Sequence, residues 1–229
     1  MGNIIAVSGL KNSGKDLVST MIQYCLSVPR CMRFYWLYKL LYTFIIPKYE
    51  ITSFASSLKE ALSILINVPT EKFNNREFKE SWYIKLHDIH VTSFPDKNLV
   101  ITDKKLNRLI KSNKLTLVSN YYITIRQLLQ IFGTEIIRKY FGDSFWVSRT
   151  LLNSNDIIIS DMRFIVEYTY VKNNNGITIY VDRHQNPGLH RSESEVIELY
   201  KGNKFDYIID NSKDLKYLFN QVSHISNKL

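Results

Sequence analysis

The feature that most limits how this chain can fold is a glycine-rich turn between an apolar segment and an amphipathic segment. Residues 9–16 read GLKNSGKD, the pattern G-x-x-x-x-G-K with aspartate where serine or threonine is usual. Residues 3–8 (NIIAVS) predict a short buried strand before it, and the apolar spacing over residues 15–25 predicts a helix after it. Glycines let successive backbone N–H groups turn inward, and a helix N-terminus adds further N–H donors. The pattern therefore predicts a phosphate site.

The residues of this turn are the candidate phosphate ligands. Lys15 would reach the β- and γ-phosphates of a bound nucleotide. Asp16 has two interpretations, as a ligand in the Mg²⁺ shell or as a first-turn acid that the helix dipole favours. Lys11 is either a further phosphate contact or a solvated charge. The full set predicted to bind the nucleotide from this turn is Gly9, Lys11, Asn12, Ser13, Gly14, Lys15 and Asp16.

The remaining chain alternates between short apolar runs and helical patterns. Strands are expected at 49–54, 156–160, 177–181 and 207–209, and helices at 58–66, 124–140 (broken by Gly133), 164–173, 192–200 and 215–222. Alternation of this kind predicts an α/β fold with a small parallel sheet covered on both faces. Residues 70–121 are polar, so we expect an irregular insertion there, with a small hairpin within 91–106.

A second carboxylate and several cations follow the predicted strands. Asp161 ends the apolar run 156–160, where it would hold Mg²⁺ or cap the next helix. Arg163 and Arg126 are candidates for a monophosphate clamp, since guanidinium pairs bidentately with phosphate, although each is also compatible with a solvated surface position. Arg183 precedes a loop that would close over the phosphates.

The helix predicted at 124–140 carries three more candidates. Gln127 and Gln130 fall close to Arg126 at its start, and a glutamine amide reads a base edge with one donor and one acceptor. Arg138 lies further along the same helix and is the weakest member of the clamp.

Composition and charge limit the classes of molecule that this chain is expected to bind. The formal net charge is +9, which phosphate-binding groups explain in part. Nucleic-acid binding is not expected, because no interleaved aromatic and basic motif would read bases. Cys25 and Cys31 do not suggest a disulfide framework, and the N-terminus does not read as a signal peptide, so we expect a cytoplasmic protein.

One apolar run tests that expectation. Residues 34–46 (FYWLYKLLYTFII) are almost all apolar or aromatic, with Lys39 and Thr43 as the exceptions. The run is shorter than the roughly 20 residues that a bilayer span needs. The run therefore predicts no membrane span. It favours a buried helix or a subunit interface over peripheral membrane contact.

Five segments in one order resemble the deoxynucleoside monophosphate kinases of phage and large-virus type. They are GLKNSGKD (9–16), SFASSLKEAL (53–62), TIRQLLQIFGTEIIRKYFGDSFWV (124–147), IIISDMRFIVEY (157–168) and HRSESEVIELYKGNKFDYIIDN (190–211). The aromatic insertion near 31–48 and the polar segment 70–121 depart from the family, and such acceptor-side differences bear on which base is used.

The resemblance implies a P-loop NTPase fold of the nucleoside monophosphate kinase type: three α/β/α layers around a small parallel sheet, with helical insertions. It implies one kinase domain over 1–229, with a substrate-side insertion around 70–122 and a lid loop around 183–192. The implied reaction uses ATP and Mg²⁺ to convert a (deoxy)nucleoside monophosphate to the diphosphate, leaving ADP. A homodimer is compatible with the family. The alternatives are a non-catalytic P-loop nucleotide-binding scaffold and a P-loop kinase acting on another small phosphate.

These considerations assign roles to residues. Catalysis would fall to Lys15, Arg163, Arg126 and Asp161, with Asp16 and Asp161 at the metal and Arg183 joining the nucleotide ligands. Phe54 is equally compatible with core packing, and Lys59 with a solvated helix position. The expected substrate contacts are Phe54, Lys59, Arg126, Gln127, Gln130, Arg138 and Arg163.

Overall fold

The computed structural model describes residues 3–86, 91–93, 95–115, 120–151, 156–184 and 191–229. The described strands are β1 (Ile4–Ser8), β2 (Glu50–Thr52), β3 (Tyr83–Lys85), β4 (Val91–Thr92), β5 (Tyr122–Thr124), β6 (Ile157–Met162), β7 (Ile177–Asp182) and β8 (Tyr207–Asp210). Two compact units are present: Met1–Phe54 with Val147–Leu229, and Ala55–Trp146.

Helices follow most of the strands. They are α1 (Lys15–Ser27), α2 (Tyr35–Leu41), α3 (Ser56–Ile66), α4 (Arg76–Ser81), α5 (Asp103–Lys111), α6 (Ile125–Gln130), a π-helical stretch (Ile131–Arg138), α7 (Lys139–Phe141), α8 (Phe145–Leu151), α9 (Ile165–Asn173), α10 (Arg191–Lys201) and α11 (Leu215–Ser226). Short 3₁₀ turns lie at Arg30–Met32, Tyr42–Phe44, Thr70–Asn74 and Lys97–Leu99.

The first unit is built on a five-stranded parallel sheet in the order β2-β6-β1-β7-β8. Alternate residues of β1 enter two different cores, because side chains on a strand point to opposite faces. Ile5 and Val7 pack with α1 and α11, whereas Ile4 and Ala6 pack with α9 and α10. The predicted α/β class, with a central parallel sheet flanked by helices, is confirmed.

The second unit contains the segment for which the sequence predicted irregular structure, and that prediction is wrong. Strands β4, β3 and β5 form an antiparallel sheet in that order. Its core includes Phe73, Phe78, Ile84, Ile101 and Leu106, all from the polar stretch. The hairpin expected within 91–106 is also misplaced, because β4 pairs with β3 and the described residues after it form a 3₁₀ turn and α5.

The predicted break at Gly133 is wrong as well, since helical backbone continues from α6 through the π-helical stretch into α7. A Cβ atom on Gly133 would lie 2.8 Å from Leu58 Cδ2, so the glycine allows close packing of α3. The indole Nε1 of Trp146 donates to the Gly133 carbonyl at 3.0 Å. Thr124 caps the start of α6 and forms a capping box with Gln127.

The aromatic run 34–46 is not a buried helix. Helix α2 has no fully buried residue, although Tyr35, Leu37 and Tyr38 pack against the core of α1 and α11. Among the helices within the described ranges, none combines the length and apolarity that crossing a bilayer requires.

Candidate phosphate-binding site and substrate-side residues

The turn between β1 and α1 has the backbone conformation that its glycines predict. Gly9 has φ +150° and Gly14 has φ +94°, values that other residues rarely adopt. A Cβ atom at Gly9 would lie 2.6 Å from the carbonyl oxygen of Val181 in β7. The turn therefore lies against the carboxyl end of β7, and α1 begins immediately after it at Lys15.

Lys15 is buried at the centre of this turn. Its Nζ donates to the carbonyl of Leu10 at 2.9 Å. Burial and, less strongly, the charge of Arg163 lower its pKa to about 8, against the opposing effect of Asp16, Asp161 and Glu193. A buried amine at the start of a helix is suited to bind an anion such as a phosphate.

Three contacts from the carboxyl edge of the sheet hold the turn. Asn211 follows β8, and its Nδ2 donates to the Ser13 carbonyl at 2.7 Å. Arg183 follows β7, and its Nη1 donates to the Asn12 carbonyl at 3.2 Å. The backbone N–H of Lys11 donates to Glu193 Oε1 at 3.3 Å. These contacts connect the glycine-rich turn to the ends of β7 and β8 and to α10.

The two predicted metal ligands belong to this region. Asp16 is exposed in the first turn of α1. Asp161 lies near the end of β6, and its Oδ1 accepts from the backbone N–H of Phe54 at 2.8 Å. Both carboxylates raise the pKa of Lys15, so both act on the same buried amine. No cluster of three or more histidine, cysteine or acidic side chains suited to a metal occurs among the described residues.

Arg163 is positioned by the turn that follows β6. Glu167, a buried residue of α9, accepts from the backbone N–H groups of Arg163 at 2.7 Å and Phe164 at 3.1 Å. Glu195 of α10 accepts from the N–H of Ile165 at 2.9 Å. The start of α9 is therefore stabilised by carboxylates, and the side chain of Arg163 is exposed.

Phe54 lies in the first unit, and its side chain is 3% exposed in the core with Ile159 and Met162. Core packing is the role that the structure describes for it. Its substrate contact remains a prediction.

Four predicted substrate residues of the second unit have described partners or surroundings. Arg126 Nη2 lies 3.0 Å from Glu80 Oε1, a carboxylate that Arg76 also contacts at 3.2 Å. Lys59 Nζ donates to Asn74 Oδ1 at 2.9 Å. Gln130 is exposed, and Arg138 is half-buried in the last turn of the π-helical stretch. Their substrate roles remain predictions.

Gln127 has a structural function that the sequence did not indicate. Its Oε1 accepts from the N–H of Thr124 at 2.8 Å, and its Nε2 donates to Ile101 O at 3.2 Å and Asp103 Oδ1 at 2.6 Å. Both ends of the buried amide are engaged within the fold. Base recognition by Gln127 remains a prediction, and these bonds do not favour it.

Sequence reasoning missed Asn211, Glu193 and Glu167. Asn211 could have been found, because a polar residue directly after a parallel strand lies at the edge where ligands gather. His184 follows β7; its Nδ1 lies 3.3 Å from Asp182 Oδ2, and its Nε2 lies 3.6 Å from Asp210 Oδ1. Of the predicted lid around 183–192, residues 185–190, including His190, lie outside the described residues, as does His87.

Fold and site together define a mixed α/β protein whose central parallel sheet presents a glycine-rich turn and a buried lysine at the start of a helix. The chain belongs to the deoxynucleotide monophosphate kinase family, whose model matches residues 77–222, more than half of its length. The predicted resemblance is thereby confirmed, and the protein is a nucleotide monophosphate kinase. No curated protein matches the chain.

Proposed function

We propose that this kinase transfers the γ-phosphoryl group of ATP to a deoxynucleoside monophosphate, giving the diphosphate and ADP. The observation that carries the proposal is the glycine-rich turn with Lys15 buried at the start of α1, in a chain of this family. We also propose that the chain has a P-loop NTPase fold of the nucleoside monophosphate kinase type, with 1–229 as one kinase domain; the glycine-rich turn supports this assignment.

The residues of the first unit would serve the donor nucleotide. Backbone N–H groups from Gly9 to Gly14 would bind the phosphates, and Lys15 would contact the β- and γ-phosphates. Bound Mg²⁺, held through Asp16 and Asp161 and their waters, would neutralise charge that builds up on the phosphate oxygens. Arg163 and Arg183 would supply further positive charge.

The transfer would be a direct in-line displacement. An oxygen of the acceptor phosphate forms a bond to the γ-phosphorus, the bond from that phosphorus to the β–γ bridging oxygen breaks, and ADP departs. No protein nucleophile is needed, because catalysis consists of positioning and charge neutralisation. Lys59, Arg126, Gln127, Gln130, Arg138 and Phe54 are the proposed acceptor contacts.

The test is an ADP-release assay with Mg²⁺ and ATP across a panel of deoxynucleoside and ribonucleoside monophosphates. We expect turnover with at least one deoxynucleotide, and a loss of at least about a thousandfold in Lys15→Ala. Lys216→Ala, which removes an exposed lysine of α11, is the matched control and should retain wild-type turnover. ATP binding without turnover would instead indicate a scaffold, and turnover only with non-nucleotide phosphates would indicate a different acceptor.

A further inference from the structure

The segment around α2 has a fixed inner face. Tyr38 donates to or accepts from Thr20 Oγ1 at 3.1 Å, and its ring lies 5.4 Å from that of Phe219 in α11. Tyr35 lies 5.9 Å from the same ring, and Tyr42 packs on the same core. Because tyrosines anchor one side of the segment to α1 and α11, the opposite side is held in a defined arrangement.

The outer face is apolar and open to solvent. Its exposed fractions are 53% for Phe34, 63% for Trp36, 61% for Leu40, 80% for Phe44 and 91% for Ile46. We call these five side chains the aromatic face. Soluble proteins seldom leave a contiguous set of large apolar side chains in water unless it binds something.

Two exposed lysines, Lys39 and Lys48, flank the aromatic face in the sequence. Their amines lie 5.9 Å and 5.8 Å from the ring centroids of Tyr35 and Tyr49, and within the described part of the chain neither forms a salt bridge. Arg30 and Arg33 instead donate to neutral oxygens of residues 28, 226 and 227, and the nearest acidic residue in the sequence is the exposed Glu50. Lys39 and Lys48 are therefore the cations that this segment presents to an anionic surface.

We propose that the aromatic face docks onto an anionic lipid membrane surface. Aromatic and aliphatic side chains on one face, with arginine and lysine beside them, are the combination that binds in the plane of a lipid interface. A second copy of this chain is a poorer occupant, because a two-fold interface would bring the exposed lysines of two copies together. The docking is peripheral and needs no membrane-spanning helix.

The test is flotation of the full-length protein with phosphatidylcholine vesicles, with and without phosphatidylserine. We expect binding only when phosphatidylserine is present, and weaker binding as salt is raised. The double variant Trp36→Ser/Phe44→Ser should lose at least about tenfold in vesicle affinity, because two apolar side chains leave the interface. Ile64→Ser is the matched control: Ile64 is 82% exposed on α3, outside the aromatic face, and its loss should change nothing.

The contribution of charge is tested separately. Lys39→Glu/Lys48→Glu should weaken vesicle binding on the order of tenfold or more. Lys104→Glu, which reverses an exposed lysine in the first turn of α5, should not. Circular dichroism of each variant checks that it is folded.

Three results would overturn the proposal. One is the absence of wild-type binding to phosphatidylserine vesicles. Another is unchanged binding by the folded Trp36→Ser/Phe44→Ser variant. The third is a wild-type dimer in sedimentation that this variant abolishes while neither protein binds vesicles, which would assign the aromatic face to a second copy. None of these readouts depends on kinase activity, so the proposed reaction and this inference fail independently.

Discussion

The protonation state of Lys15 controls how strongly it attracts a triphosphate. Burial of the amine and the positive charge of Arg163 lower its pKa from 10.5 to about 8 in the free protein. Only the protonated amine attracts a triphosphate. Below pH 8 the cation is present and ATP binding needs no proton uptake at this site, whereas above pH 8 binding must also protonate the amine.

The expected result is an ATP dissociation constant that is flat from pH 7 to about 8 and then rises about tenfold per pH unit. Isothermal titration calorimetry across pH 7 to about 9.5 measures it. Lys15→Arg is the informative comparison, since guanidinium stays protonated throughout. A wild-type dissociation constant that stays level to pH 9.5 would contradict the assignment of Lys15 as the phosphate-binding cation.

Asn211 allows a second single-residue test, because its amide connects the end of β8 to the glycine-rich turn. Asn211→Ala removes the 2.7 Å bond to the Ser13 carbonyl, and Asn211→Asp places a carboxylate against that carbonyl. We expect ATP affinity to fall about fivefold in the alanine variant and further in the aspartate variant. Equilibrium binding of a fluorescent ATP analogue would show it.

Asn174 offers the control for Asn211. Its Nδ2 also donates to a backbone carbonyl, that of Tyr170 at 2.8 Å, but at the end of α9. Asn174→Ala should lower the free energy of unfolding by about as much as Asn211→Ala does, and it should leave ATP affinity unchanged. If both variants bind ATP equally, Asn211 does not position the turn.

At the scale of elements, the helix from Ile125 to Phe141 depends on close packing at Gly133 rather than on a break there. Gly133→Ala places a methyl group 2.8 Å from Leu58 Cδ2, the end of a flexible side chain that must then move, whereas alanine favours helix over glycine by about 1 kcal/mol. We therefore expect a net loss of about 0–2 kcal/mol in the free energy of unfolding. Urea denaturation measures the loss. Leu58→Ala in the same chain should reduce the penalty of Gly133→Ala, which gives a favourable coupling energy in a double-mutant cycle. Additive effects would show that the two residues do not share this space.

The sequence predicted correctly those elements that are specified by residues close together in the chain. The β1–turn–α1 unit was correct because its glycines, apolar strand and amphipathic helix are consecutive. The second unit was missed because β3, β4 and β5 are three, two and three residues long, and because β3 pairs with β5 across the intervening β4 and α5. Asn211 was missed for the same reason, since its partner Ser13 is 198 positions earlier.

For the whole molecule, the proposed donor residues lie in the first compact unit and most of the proposed acceptor residues lie in the second. The glycine-rich turn, Lys15 and Asp161 lie in the first unit together with Phe54 and Arg163, and Lys59, Arg126, Gln130 and Arg138 lie in Ala55–Trp146. A ligand stabilises the structure that binds it by RT ln(1 + [L]/Kd), about 2.7 kcal/mol at a hundredfold excess over Kd. Each substrate should therefore protect the unit that contacts it.

Hydrogen exchange measured by mass spectrometry tests this division. With ATP and Mg²⁺, exchange should slow in the peptides of β1 and α1, and with a deoxynucleoside monophosphate it should slow in the peptides of β3 and β5, by up to about a hundredfold where exchange requires unfolding of the unit. Lys15→Ala should remove only the first effect, and Arg126→Ala only the second. If Lys15→Ala abolished protection by both ligands, the acceptor would depend on the donor site, and the residues proposed for it in the second unit would be wrong.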